Sequence, residues 1–96
     1  MLSILIPTYN YSIVALVKSV HRQATKAKIP FEINVLDDCS TDLDISIDNE
    51  RIKKLNFCSF KKNEKNIGRT ASRNLLAAKS SYELLLFLDA DVLPKY

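Results

Sequence analysis

Tryptophan is absent from this sequence, glycine and histidine occur once each, and cysteine occurs twice. A single glycine, Gly68, excludes the glycine-rich turn of a dinucleotide-binding domain. It also excludes the glycine-rich loop with a basic residue that a nucleotidyltransferase places after its first strand, where this chain has Pro7-Thr8-Tyr9-Asn10. Cys39 and Cys58 lack metal-ligand spacing and have only His21 to help them, so both read as reduced thiols of a cytosolic protein. No apolar run approaches the roughly 20 residues needed to span a bilayer. The longest, Leu84 to Leu88, is strand-sized. The N-terminus lacks a basic n-region and Pro7 interrupts its first apolar run, so no signal peptide is visible. A strong charge of either sign is missing too. The net charge of +3 is too mild to argue for a nucleic-acid partner. Lys53, Lys54, Lys61, Lys62 and Lys65 cluster, but Glu50 and Glu64 interrupt them, which is the pattern of a solvated face.

What is present is an ordinary globular composition, 47% hydrophobic and 26% charged over 96 residues. That is enough for one small domain over residues 1–96 with a thin stability margin. Leu2 to Ile6 is almost wholly apolar and is ended by Pro7, which predicts a strand covered on both faces. Ile13, Leu16, Val17, Val20, Ala24 and Ala27 then recur at helical spacing. Asn10 or Ser12 is the expected cap of this helix, and Pro30 forbids its continuation. Phe31 to Leu36 predicts a second strand running into an Asp-, Ser- and Thr-rich loop, Asp37 to Asp42. Leu43 to Lys54 reads as a short, weakly periodic helix, Leu55 to Phe60 as a third strand and Arg69 to Lys79 as a third helix. Leu84 to Leu88, fully apolar, reads as a central fourth strand. His21 falls mid-helix near the apolar face and reads as structural.

The order βαβαβαβ predicts an α/β fold, a Rossmann-like open parallel sheet with strand order 3-2-1-4. Ligands of such sheets sit beyond the carboxyl ends of the strands. Tyr9 and Asn10 follow strand 1, Asp37 and Asp38 follow strand 2, and Asp89 and Asp91 follow strand 4, so all are expected along one rim. A receiver-type signalling domain would instead carry its acidic pair after strand 1 and an aspartate after strand 3, where this chain has Phe60-Lys61.

Three segments carry a more specific pattern. They are Ser3-Ile4-Leu5-Ile6-Pro7-Thr8-Tyr9-Asn10; Glu32-Ile33-Asn34-Val35-Leu36-Asp37-Asp38-Cys39-Ser40-Thr41-Asp42; and Asn66-Ile67-Gly68 with Ser72-Arg73-Asn74 and Phe87-Leu88-Asp89-Ala90-Asp91. In order and spacing they resemble the N-terminal nucleotide-binding half of family 2 glycosyltransferases of the GT-A fold, ending just after the Asp-x-Asp motif. The resemblance implies transfer of a sugar from a nucleotide-diphosphate sugar, UDP-sugar favoured, to a hydroxyl of a glycan or lipid-linked acceptor. Such transfer is inverting, depends on Mg²⁺ or Mn²⁺, and serves cell-surface polysaccharide synthesis at the inner face of the membrane.

The same resemblance assigns roles. Asp91 is the implied direct metal ligand, and Asp89 holds the ribose or reaches the ion through water. Asp38 is expected to accept a hydrogen bond from the base, and Asp37 to touch the ribose or orient the loop. Tyr9 stacks on the base or lines its edge, Pro7 and Thr8 shape the turn beside it, Asn10 belongs to the same segment, and Arg73 points to a base carbonyl or phosphate. Such acidic residues suit the task, because a divalent cation takes carboxylate oxygens and lets substrate phosphates complete its shell.

Two departures stand out. Cys39 occupies a position where the family usually has glycine, and Leu75 one where it usually has a small residue. The family's general base is expected beyond Tyr96, so these 96 residues are expected to transfer no sugar alone. An uncovered, apolar fourth strand carries a further expectation, self-association through exposed sheet surface. The alternative to a transferase is a non-catalytic nucleotide-binding or interaction module that keeps the fold.

Overall fold

The computed structural model describes residues 1–90. Four parallel strands, β1 (Leu2–Thr8), β2 (Phe31–Asp37), β3 (Cys58–Lys62) and β4 (Leu84–Phe87), form one sheet of order β3-β2-β1-β4. Three helices connect them: α1 (Val14–Ala27), α2 (Leu43–Glu50) and α3 (Arg69–Lys79). The expected strand order and element sequence are thus the observed ones.

The two faces of the sheet are unequal. Ile4 and Ile6 of β1 join Ile33 and Val35 of β2, Ile13, Leu16 and Val17 from α1 and its entry, and Ile52 in the larger core. The opposite face is covered by α3, and its core is only Leu5, Leu36 and Leu76, with Leu75 and Phe87 packed beside them. Leu75, one of the two departures noted in the sequence, is part of this thinner layer. Lower on that face the side chains are polar. Ser3 is fully buried and donates to Glu32 Oε2 at 2.6 Å, and Ser59 donates to Asn34 Oδ1 at 2.7 Å.

Several boundaries differ from expectation. Strand β1 runs through Pro7 to Thr8, past the expected stop. The C=O of Thr8 accepts from Asp38 N–H on the β2 side, whereas the C=O of Leu5 accepts from Leu88 N–H on the β4 side. Backbone groups therefore alternate between neighbours, and the nitrogen of Pro7 faces the β4 side, beyond the last pair Leu5–Phe87. It removes no ladder bond, which is the condition for proline inside a strand.

Helix α2 stops at Glu50, and Arg51–Lys54 tighten into a 3₁₀ turn. Leu55 N–H bonds back to Ile52 C=O and Cys58 N–H to Leu55 C=O, so Leu55 to Phe57 are consumed by turns and β3 starts at Cys58. Strand β4 is the outer strand of the described sheet rather than a central one, and Leu84 is 67% exposed. Its apolar run reflects no burial on both faces among the described residues. No helix of the described residues is long and apolar enough to cross a membrane.

The start of α1 is a further correction. Neither Asn10 nor Ser12 caps it; its N-cap position is Ile13, whose side chain has no hydrogen-bonding atom. Ile13 N–H donates instead to Oδ1 of Asn49 in α2 at 2.9 Å, and Asn49 Nδ2 donates to Tyr11 C=O at 2.8 Å. Asn49 is fully buried, so a polar side chain from another helix does the capping. His21 is structural as expected, with its ring edge-on to Phe31 and Nε2 3.0 Å from Asn56 C=O. Asn49→Ala orphans a buried N–H and a C=O together, and we expect it to lower unfolding free energy by about 2 kcal/mol in urea denaturation. A loss within experimental error would show that water replaces the amide freely.

Candidate functional site

The loop after β2 is organised by Asp37, the last residue of that strand. Its carboxylate is fully buried. Oδ1 accepts from Ser40 N–H at 2.7 Å and Ser40 Oγ at 2.6 Å, and Oδ2 accepts from Ser46 Oγ at 3.2 Å. The Ser40 hydroxyl in turn accepts from Asn10 N–H at 2.8 Å. Asn10, in the left-handed region at φ 50, turns its side-chain oxygen to Thr41 N–H and Asp42 N–H and its amide to Thr41 Oγ1. These two residues therefore tie the strand ends together. Asp37 orients the loop, as one of its two expected roles had it. The side chain of Asn10 is spent on the loop rather than offered to a ligand. Asp42 caps α2, accepting from Ile45 N–H.

Cys39 lies between these anchors with φ 65, a conformation that favours glycine. This explains why the usual residue there is glycine: the backbone keeps the left-handed turn and the cysteine tolerates it. Gly68, just before α3, has φ 90, a conformation that glycine adopts without strain.

Asp38 is also buried, but it faces the start of α3. Oδ1 accepts from Asn63 Nδ2 at 3.0 Å and Ile67 N–H at 2.8 Å, and Oδ2 accepts from Gly68 N–H at 2.9 Å. Burial alone would raise its pKa; the hydrogen bonds from Ile67, Asn63 and Gly68 together outweigh it and hold the carboxyl below the usual aspartate value. Oδ2 carries one bond among the described residues and has capacity for a second.

Asp38 opens onto a hollow of about 320 Å³ at the carboxyl ends of β1, β2 and β4. Pro7, Thr8 and Tyr9 form one wall, Asn66, Gly68, Arg69 and Ser72 another, and Asp89 with Ala90 closes the third. Tyr9 is 47% exposed, with its ring free to meet a ligand. Asp89 is paired with the guanidinium of Arg69. Ser72 is 1% exposed, and its hydroxyl has no hydrogen-bond partner among the described residues, a rarity for a buried polar atom. A wall with an unsatisfied hydroxyl suits a polar ligand.

Of the expected site residues, the structure brings Pro7, Thr8, Tyr9, Asp38 and Asp89 to this hollow and leaves Asn10, Asp37 and Arg73 off its lining. Arg73 instead stacks on Phe87, its guanidinium carbon 4.3 Å from the ring centre. Asp91 lies outside the described residues. Arg69 and Ser72 were not expected, although their spacing with Leu76 at i, i+3 and i+7 marks the helix face that meets the sheet. Among the described residues no group of three or more His, Cys, Asp or Glu side chains gathers as a metal cage. One or two carboxylates are enough for a magnesium-like ion that takes its other ligands from water and substrate phosphates, so Asp89 at the hollow fits such an ion.

The family model of Glycosyl transferase family 2 matches residues 3–96. The chain is 34% identical over 91 residues to the poly(ribitol-phosphate) beta-N-acetylglucosaminyltransferase TarS of Staphylococcus aureus, covering 93% of this chain and 16% of that protein. It is 37% identical over 97 residues to an uncharacterized glycosyltransferase of Haemophilus influenzae, covering 95% of this chain and 29% of that one. The chain thus spans less than a third of the length of these relatives. The crystal structure of S. aureus TarS 1-349 superposes with a TM-score of 0.75 at 32% identity, covering 94% of this chain and 27% of that one. The same fragment in complex with UDP gives 0.72 at 33%, with the same coverage. A mannosyltransferase from Pyrobaculum calidifontis shares the fold, with a TM-score of 0.66 at 20% identity over 96% of this chain and 28% of that one.

The stability that Asp38 supplies has a definite pH sign. Its folded pKa is depressed, so the contribution is complete above the unfolded value near 3.8 and is lost as pH falls through the folded one. The gap in unfolding free energy between wild type and Asp38→Asn is expected to be widest above about pH 5 and to close under stronger acid. Glu32, which is also held low although burial alone would raise it, is present in both proteins and cancels from the difference. A gap constant from neutral pH to strong acid would contradict the assignment.

Proposed function

The chain belongs to Glycosyl transferase family 2, and from that premise we propose that it forms the donor site of an enzyme transferring a sugar from a nucleotide-diphosphate sugar, UDP-sugar favoured, to an acceptor hydroxyl. Support comes from the meeting of Asp38, Asp89 and Tyr9 on one hollow of about 320 Å³ whose wall carries a hydroxyl unpartnered among the described residues. That TarS has been crystallised with UDP, at 33% identity to this chain, favours the uridine nucleotide.

In this reading Tyr9 covers the base and the second acceptor position of Asp38 Oδ2 receives a base N–H. The hydrogen bonds from Ile67, Asn63 and Gly68 keep Asp38 ionised, so it accepts and does not donate. The hydroxyl of Ser72 completes its missing bond on the ligand. Asp89, and Asp91 beyond the described residues, would hold Mg²⁺ or Mn²⁺. When bound, that ion neutralises the diphosphate and helps it leave. Transfer is inverting: the acceptor hydroxyl attacks the anomeric carbon opposite the nucleotide and the bond to diphosphate breaks. The hydroxyl proton passes to a carboxylate that the family supplies beyond the position of Tyr96. The reading places the enzyme at the cytoplasmic face of a membrane, acting on glycan or lipid-linked acceptors.

We include self-association in the proposal, through the exposed leucines of β4. Leu85→Lys is then expected to lower the mass measured by light scattering, and an unchanged monomer mass in both proteins would refute it.

The donor reading is tested by calorimetric titration with UDP, GDP and dTDP, each with and without Mn²⁺. The expected result is UDP binding that requires Mn²⁺ and weakens roughly tenfold or more in Asp89→Asn, the loss typical of a charge-assisted contact. Failure of every nucleotide to bind with Mn²⁺ would defeat it.

A further inference from the structure

Arg69 and Asp89 face each other across the mouth of the hollow, one from the first turn of α3 and one from the loop after β4. They are 20 residues apart in sequence and form the ion pair that joins these two elements. Asp89 also belongs to the pair of aspartates to which the divalent cation is assigned. A guanidinium on that carboxylate occupies the position of the positive charge the donor complex needs there. We propose that Arg69 is a diphosphate-binding residue held in reserve on Asp89, standing in for the divalent cation until the metal–nucleotide complex arrives. The inference deepens the donor-site reading and rests on it.

Three observations carry the exchange. Arg69 is largely and Asp89 partly in water, with side-chain exposures of 66% and 40%, so the pair is weakly held and easily opened. Arg69 follows directly on Gly68, whose N–H is fixed by Asp38. The root of the side chain is therefore anchored while the long arm is exposed. Arg69 and Asp89 both line the hollow, so an arginine displaced from Asp89 swings over the space that a ligand fills rather than away from it.

The physical logic is charge balance. With no ligand, a carboxylate at the end of an apolar strand is paired by Arg69. A divalent cation placed on Asp89 repels the guanidinium, and the diphosphate brought with it offers oxygens in the planar, two-pronged geometry that arginine matches. Arg69 thus competes with the bare ion and cooperates with the ion–nucleotide complex. Arg73 cannot substitute, because it is stacked on Phe87 and does not line the hollow.

This opposition of signs is the signature to measure. Mn²⁺ binding to the 96-residue chain is read by electron paramagnetic resonance, first alone and then with saturating UDP, in wild type and Arg69→Met. Without nucleotide, Arg69→Met is expected to bind Mn²⁺ about twofold to fivefold more tightly, the scale of a lost exposed ion pair. With UDP the order reverses, and the variant is expected to hold the Mn²⁺–UDP complex about tenfold more weakly, since a charge-assisted contact to phosphate is gone. Arg69→Lys keeps the charge but not the fork, and is expected to bind bare Mn²⁺ like wild type while recovering only part of the UDP complex. Arg69 is exposed, so circular dichroism is expected to show the same fold for all three. Arg69→Met binding bare Mn²⁺ no better than wild type would overturn the proposal, as would a change of the same sign in both conditions. If wild type binds no UDP at all, the donor reading fails, and the bare-metal comparison still decides whether Arg69 occupies the cation's place.

Discussion

A fully buried carboxylate, Asp37, fixes the rim of this domain. Taking an ionised carboxyl out of water costs several kcal/mol unless the interior returns the lost hydrogen bonds. Here Ser40 returns two and Ser46 a third. Satisfying Asp37 forces the chain to fold back three residues after β2, and the Ser40 hydroxyl then meets Asn10 at the end of β1. The same turn leaves the next residue, Asp38, pointing at the start of α3. One acid is thereby consumed to aim the other. Two adjacent aspartates do opposite work because β-strand geometry sends successive side chains to opposite sides.

Positive φ angles gather around this rim. Asn10, Cys39 and Gly68 all take them, from a chain with a single glycine to spend. Residues other than glycine lose roughly 1–2 kcal/mol in the left-handed region, so each must be held by its surroundings. Asn10 is held by three side-chain hydrogen bonds. Among the described residues, the Cys39 side chain has only a long contact from its sulfur to Glu64 C=O at 3.5 Å. The strain sits beside the candidate ligand hollow, where such strain commonly accumulates.

Most of the fold could be read from the sequence because its periodicities are clean. The 3.6-residue recurrence from Ile13 to Ala27 gave α1, and the apolar runs gave β2 almost to the residue and the start of β1, though not its continuation through Pro7 to Thr8. The failures came where non-local partners decide. The cap of α1 is an asparagine 36 residues away, which no local rule detects. The start of β3 was displaced because the 3₁₀ turn Arg51–Lys54 is followed by a further turn, with little sequence signature, that uses up Leu55 to Phe57. The fourth strand looked central because its run is apolar, and apolarity alone cannot tell an inner strand from an outer one. Among the residues assigned from strand ends, Tyr9, Asp38 and Asp89 reached the hollow, Asn10 and Asp37 were drawn into the hydrogen bonds of the loop, and Asp91 lies outside the described residues. Arg73 was chosen from motif position, whereas the helix face selected Arg69 and Ser72 instead.

The resulting site is rigid on one side and adjustable on the other. On the β2 side, Asp37 and Asp38 have every strong bond directed inward, to serines, backbone amides and Asn63, and their positions are over-determined. On the β4 side, among the described residues, Asp89 is held by one exposed guanidinium, and the strand beneath it pairs with β1 alone. A base needs fixed partners, because discrimination depends on hydrogen-bond directions that do not yield. A cation and a diphosphate need charges that can rearrange as each arrives. Unequal burial of the two sheet faces produces that division directly. The thick core under α1 braces the acidic loop, while the three-leucine layer under α3 gives the β4 side less support.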